Sequence, residues 1–207
     1  MPVDYSLYLV TDRGILRGRD IFQAVEEAVK GGVTLVQLRE KDISSLEFYN
    51  IALKMKAFLR KCEIPLIIND RLDIALAVDA DGLHVGQDDL PLDKARSLLS
   101  GGKILGYSVY NVQQAMYGEK CGADYLGAGP VYPTGSKPDA VSPIGIDNLS
   151  RITGSVSIPV VGIGGIGLLN LNEVKDAGAA GISLISAILG SDDVEGAARG
   201  LLELWRE

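Results

Sequence analysis

Residues 160–167 read VVGIGGIG, and an apolar LLNL follows at 168–171. Two valines of strand character run into the literal pattern G-x-G-x-x-G, with helix-forming sequence behind it. Two folds place glycines this way. In a doubly wound open sheet the pattern cradles a dinucleotide, and an acid about 20 residues further on holds the ribose. In a (β/α)₈ barrel the loops after strands seven and eight form a phosphate site. Here the position about 20 residues on is Ala187, inside ISAI at 185–188, and the nearest acid beyond it is Asp192. The stretch also stands late in the chain, which leaves little sequence for a nucleotide domain. The barrel reading is the stronger one.

Working outward, the same unit recurs. Short apolar runs fall at 7–10, 34–38, 66–68, 82–85, 104–107, 125–127, 160–162 and 181–185. Each is apolar throughout rather than alternating, the mark of strands covered on both faces of a parallel sheet. Amphipathic segments follow at 20–30, 44–61, 72–78, 91–99, 112–120, 147–152, 171–177 and 194–206. Ser44 with Glu47 three residues on has capping-box spacing. Eight strand–helix pairs in 207 residues predict one α/β domain over 1–207, a (β/α)₈ TIM barrel. A chain of this size buries roughly 70% of its unfolded surface, enough for a core without disulfides or structural metal.

Composition narrows the function. Acids outnumber bases 27 to 20, for a net charge of −7. That balance argues against nucleic acid or an anionic membrane as partner, while leaving room for a small anion in a local site. Cys62 and Cys121 make no disulfide framework and read as packing residues. Residues 152–172 carry no charge, but Pro159 and five glycines interrupt them, which suits a buried strand and loop rather than a membrane span. Met1 to Asp12 lacks the pattern of a signal peptide, so a soluble cytoplasmic protein is expected.

In a barrel, function collects at the carboxyl ends of the strands. Those ends carry Thr11-Asp12-Arg13, Gln37-Leu38-Arg39-Glu40-Lys41, Asn69-Asp70-Arg71, His84 through Asp89, Tyr107-Ser108, a loop from Gly127 to Lys137, the 162–165 glycines and Ile185-Ser186. Asp70 and Asp89 are candidate Mg²⁺ ligands, since Mg²⁺ takes one or two carboxylates together with substrate phosphates and water. Asp88 competes with Asp89, and Asp70 could instead cap the helix that begins at Arg71. Arg39, Lys41 and Lys137 supply cations; an arginine grips phosphate through two parallel N–H bonds. With Mg²⁺ and the two carboxylates this set would hold a net charge of about +3, opposite that of a pyrophosphoryl group. Gly165, Ile185 and Ser186 would form a second anion site from backbone N–H groups.

The strand-end motifs together resemble the thiamine phosphate synthase family: YLVTD at 8–12, QLREK at 37–41, IND at 68–70, HVGQDD at 84–89, GYS at 106–108, GPVYPTGSK at 129–137, IPVVGIGG at 158–165 and ISAI at 185–188. The resemblance spans the chain in order. It implies an enzyme that joins a hydroxymethylpyrimidine diphosphate to a thiazole phosphate and releases pyrophosphate. It implies that Gln37, Leu38, Arg39, Glu40, Lys41, Asn69, Ser108 and Lys137 bind the pyrimidine diphosphate. Thr134, Gly135, Ser136, Gly165, Ile185 and Ser186 would bind the thiazole phosphate. Asp70 and Asp89 would hold Mg²⁺, with Asp89 preferred to Asp88 on motif register, and Arg39, Lys41, Lys137 and Ser108 would be the catalytic set. The family usually has Thr where Ser136 stands and Ala where Gly162 stands. The implied mechanism is dissociative, needing positioning and electrostatics rather than a protein nucleophile. A homo-oligomer is compatible with the resemblance. A thiazole tautomerase on the same barrel and a non-catalytic sensor of thiazole phosphate are the alternative readings.

Overall fold

The structure is a computed structural model that describes residues 2–99, 101–135 and 142–207. Eight strands close a parallel barrel in chain order: β1 (Leu7–Val10), β2 (Leu35–Leu38), β3 (Leu66–Asn69), β4 (Gly82–Val85), β5 (Ile104–Val109), β6 (Tyr125–Ala128), β7 (Val160–Ile163) and β8 (Gly181–Leu184). The barrel is sealed where Leu7, Tyr8 and Leu9 pair with Ile182, Ser183 and Leu184. Closure removes sheet edges and so satisfies the backbone polar groups of every strand.

Helices stand outside: α1 (Arg13–Leu16), α2 (Ile21–Lys30), α3 (Ser45–Lys61), α4 (Leu72–Ala77), α5 (Leu92–Leu98), α6 (Val112–Lys120), α7 (Gly145–Thr153), α8 (Leu171–Asp176), α9 (Ser186–Leu189) and α10 (Val194–Arg206). Ser44 caps α3 by accepting from Glu47 N at 3.2 Å. Two four-residue helices, α1 and α9, are absent from the sequence reading. They are too short to carry periodicity, and α9 takes Ile185, expected as the end of β8, for its N-cap. Residues 152–172 resolve into the end of α7, β7, the glycine loop and the start of α8. Among the described residues no helix is long and apolar enough to cross a membrane.

The core has two layers. One lies between strands and helices, and includes Leu7, Leu9, Val36, Leu38, Ile68, Leu83, Leu105 and Leu126 with the inward faces of the helices. The other fills the barrel interior with Tyr5, Tyr8, Leu35, Ile67, Tyr125 and Val161. Tyr125 fits because Gly106 on the neighbouring strand leaves space, and Gly127 leaves room beside the His84 ring. A Cβ at Gly106 would lie under 3.0 Å from the Tyr125 ring and from His84 Nδ1. Above this plug the interior turns polar, with buried Gln37, Asn69, His84 and Ser183. Cys62 does not pack as expected: it is exposed at the end of α3.

Candidate active site

A cavity of about 260 Å³ opens at the carboxyl ends of the strands. Its wall includes Gln37, Arg39, Lys41, Asn69, Asp70, Asp89, Ser108, Thr134, Gly165, Ile185 and Ser186, so most of the expected site residues converge. The side chains of Leu38 and Glu40 lie off that wall. Strand alternation turns Leu38 into the buried outer layer. Glu40 turns its carboxylate away from the cavity to Arg13 Nε at 2.9 Å, and its side chain is only 3% exposed. Neither side chain lines the mouth. Gly135 also stands off the cavity wall. Ser136 and Lys137 lie outside the described residues.

The first four strands build a charged half. Arg39 Nη1 donates to Asp12 Oδ2 at 2.9 Å, with both side chains mostly buried. Asp12 also accepts from Gly14 N and Ile15 N, which ties it to the start of α1. The guanidinium is therefore held from behind, and among the described residues its remaining donors have no partner. The sequence places Asp12 at the first strand end but gives it no role, because an acid after a strand looks like an ordinary helix cap, a role it also fills. Burial raises the Glu40 carboxyl above its usual range despite Arg13.

Lys41 Nζ donates to Asp70 Oδ2 at 2.5 Å. Asp70 does not cap α4, whose N-cap is Arg71 with no side-chain capping bond. Instead Asp70 adopts φ 60°, a left-handed conformation uncommon for a residue with Cβ. Such strain collects at functional sites. The Asp89 carboxylate closes its own turn by accepting from Gly86 N at 2.7 Å. The two carboxyls meet. Burial pushes Asp70 up, but its bonds to Asp89 and Lys41 outweigh this and hold it below the usual range. Burial, then the bond to Asp70, raises Asp89. Two facing carboxylates repel unless a proton or cation stands between them. These hard oxygen donors suit Mg²⁺. Among the described residues no cluster of three or more His, Cys, Asp or Glu surrounds the pair. A cation here would complete its shell from phosphate and water.

The other half, around β6 to β8, is built from backbone. Gly164 and Gly165 have φ 93° and 68°. Among the described residues their N–H groups donate to nothing. The missing Cβ atoms serve packing as well as ligand access. A Cβ at Gly165 would lie under 3.0 Å from Tyr132 Cβ and Pro133 O, and one at Gly164 would strike Pro130. The loop after β6 thus lies directly on the glycine turn. Val131 N and Tyr132 N bond to Ile163 O and Gly164 O at 2.8 and 3.0 Å. Tyr132 Oη donates to Glu173 Oε2 at 2.6 Å and pins the loop to α8. Thr134 reaches the cavity from this loop.

A closed barrel whose mouth pairs a charged half with a backbone half defines the class: a (β/α)₈ protein built around anionic small molecules. A profile of the family described as thiamine monophosphate synthase matches residues 7–188, and the chain belongs to that family. It is 57% identical over 206 residues to a thiamine-phosphate synthase of Desulfitobacterium hafniense strain Y51, with 100% of both chains covered. The corresponding protein of Clostridium acetobutylicum is 52% identical, with 99% of this chain and 97% of that one covered. Among solved structures, the thiamine phosphate pyrophosphorylase of Pyrococcus furiosus superposes with TM-score 0.89 at 40% identity. That match covers 99% of this chain and 96% of the other. A 3-hexulose-6-phosphate synthase, at TM-score 0.71 and 16% identity, shares the fold.

Proposed function

We propose that this chain is a thiamine-phosphate synthase and that residues 1–207 act as one catalytic unit. It would condense 4-amino-2-methyl-5-hydroxymethylpyrimidine diphosphate with 4-methyl-5-hydroxyethylthiazole phosphate. The products would be thiamine monophosphate and pyrophosphate. The division of the mouth carries this reading. Arg39, Lys41, Asp70 and Asp89 gather on one side, the Gly164–Gly165 turn and Ser186 on the other. Two phosphorylated substrates need two anion sites, and only the one that loses pyrophosphate needs strong positive charge.

In the reaction the C–O bond to the diphosphate breaks, and its electron pair leaves with pyrophosphate. The 4-amino group donates electron density to the resulting methylene cation. The thiazole nitrogen then forms the new C–N bond and keeps the positive charge. Arg39 and Lys41 meet the charge that grows on the leaving group. Because Asp12 already orients Arg39, little reorganisation accompanies that step. Gln37, Asn69 and Ser108 hold the pyrimidine, and the backbone half holds the thiazole phosphate so that its nitrogen faces the methylene carbon. Asp70 and Asp89 would hold Mg²⁺, which when bound offsets negative charge on the departing pyrophosphate.

The test is pyrophosphate release with both substrates, with each omitted in turn, and with Mg²⁺ chelated. Release that requires both substrates and Mg²⁺ is the expected result. Thiazole-phosphate binding without release would overturn the reading in favour of a tautomerase or a sensor.

A further inference from the structure

Five polar side chains form one continuous hydrogen-bonded chain inside the barrel. Gln37 Nε2 donates to Tyr8 Oη at 2.7 Å. The Tyr8 and Tyr125 hydroxyls are 2.7 Å apart. Tyr125 Oη lies 2.8 Å from His84 Nδ1, and His84 Nε2 lies 2.9 Å from Ser108 Oγ. The two ends, Gln37 and Ser108, face the cavity, and the tyrosines between them are buried.

Counting protons gives the chain a direction. Burial pushes both phenols far above their usual range, so each hydroxyl keeps its single proton. Tyr8 already accepts from Gln37, so its own proton goes to Tyr125. Tyr125 then gives its proton to His84 Nδ1. An accepting Nδ1 leaves the imidazole proton on Nε2, where it is donated to Ser108 Oγ. The serine hydrogen is then left to point into the cavity.

We propose that Tyr125 and His84 are positioning residues that fix this direction. They keep His84 Nδ1 as an acceptor and its proton on Nε2, so that Ser108 enters the site as a donor while Gln37 presents Oε1 as an acceptor. An imidazolium would donate at both ends and drive the Tyr125 proton onto Tyr8. The Tyr8 proton would then be buried without an acceptor. The reverse direction also balances, but it requires the Gln37 amide to be turned over. It would also aim serine lone pairs into a cavity that Arg39 and Lys41 prepare for an anion.

The surroundings hold the chain in place. Gly106 leaves the space in which Tyr125 and His84 meet. Gln87 Nε2 donates to Ser108 O at 2.6 Å, and Tyr107 Oη donates to Gln87 Oε1 at 3.1 Å, so the serine backbone cannot drift. A ligand matched to this polarity offers an amino donor to Gln37 and an acceptor atom to Ser108. An aminopyrimidine diphosphate offers both. This last assignment rests on the proposed function; the direction of the chain does not.

His84 is the one histidine of the sequence, so ¹⁵N spectra of the imidazole report it without assignment. In the free wild-type protein at neutral to mildly alkaline pH, the expected spectrum is that of a neutral ring protonated at Nε2. A ring protonated at Nδ1, or at both nitrogens, would overturn the proposal, and this readout needs neither a variant nor any synthase activity. Tyr125→Phe removes the proton donated to Nδ1. The expected result is a mixture of tautomers, with KM for the pyrimidine diphosphate raised about tenfold, the scale of one neutral hydrogen bond. KM for the thiazole phosphate should change less than about twofold. A folded Tyr125→Phe variant that keeps the Nε2–H tautomer and both KM values would overturn the positioning role. If Tyr125→Phe does not fold, the wild-type spectrum still decides the direction.

Discussion

The two halves of the mouth are made of different material. On the side of β1 to β4 the chemistry is carried by side chains, each held in place: Arg39 by the Asp12 carboxylate, Lys41 by that of Asp70, and Asp89 by the Gly86 N–H of its own turn. Across the barrel, backbone conformation carries it, through two left-handed glycines under a docked loop. Side-chain charge can be removed without moving the backbone around it, so the first half should fail chiefly in rate, with thiazole-phosphate affinity kept. Backbone geometry cannot be altered without moving its packing, so the second should fail in affinity and stability together.

The sharpest break is Arg39→Ala. Removing a preorganised donor to developing charge typically lowers turnover by about 10²–10³-fold. The same change leaves Asp12 partly buried without its cation, which costs on the order of 1–3 kcal/mol of stability. We expect kcat to fall by that factor while direct calorimetric binding of thiazole phosphate stays within about twofold. An equal loss of both would mean that the two halves are not separate sites.

Gly165→Ala attacks the other half. The position has φ 68°, and a Cβ there meets Tyr132 Cβ and Pro133 O. Strain of this kind costs about 1–3 kcal/mol. The thermal midpoint should drop, and KM for thiazole phosphate should rise by roughly tenfold or more, with kcat at saturating substrate changed far less. A variant with normal KM would show that this turn only packs the loop.

How legible this was in the sequence depends on what kind of signal each residue leaves. The barrel was readable because eight buried apolar runs and their helices leave a strong period, and VVGIGGIG separated the barrel from an open sheet. Arg39, Lys41, Asp70 and Asp89 were readable because charge at a strand end is conspicuous. Tyr8 and Tyr125 were not, since an aromatic residue inside an apolar run looks like core, and only the closed barrel brings their hydroxyls together. The side chains of Leu38 and Glu40 fall off the cavity wall for a related reason. A contiguous motif does not say which of its side chains the strand alternation turns outward.

Asp12→Asn tests the charged half more gently. The amide keeps the shape and can still cap α1, but it loses the charge that orients Arg39. Turnover should fall about tenfold, well short of the Arg39→Ala loss, with a smaller loss of stability than Arg39→Ala because the amide oxygen still accepts from Arg39. A loss as large as that of Arg39→Ala would make Asp12 a partner in the chemistry rather than the support behind it.

The smallest effect is the most discriminating for the backbone half. Gly162 lies in β7, beside the turn. Its missing Cβ faces outward, 2.7 Å from Val174 Cγ1 and 3.3 Å from Ile166 Cδ1, and away from the cavity wall. Relief of glycine's chain entropy is worth about 0.5–1 kcal/mol. Crowding against Val174, which can shift, offsets part of it. Gly162→Ala should therefore leave stability within about 1 kcal/mol of the parent and KM for thiazole phosphate unchanged, although Gly165 is only three residues away. If Gly162→Ala raises that KM as Gly165→Ala does, the anion site depends on the whole of β7 rather than on the turn. The contrast between a removable charged half and a locally built backbone half would then fail.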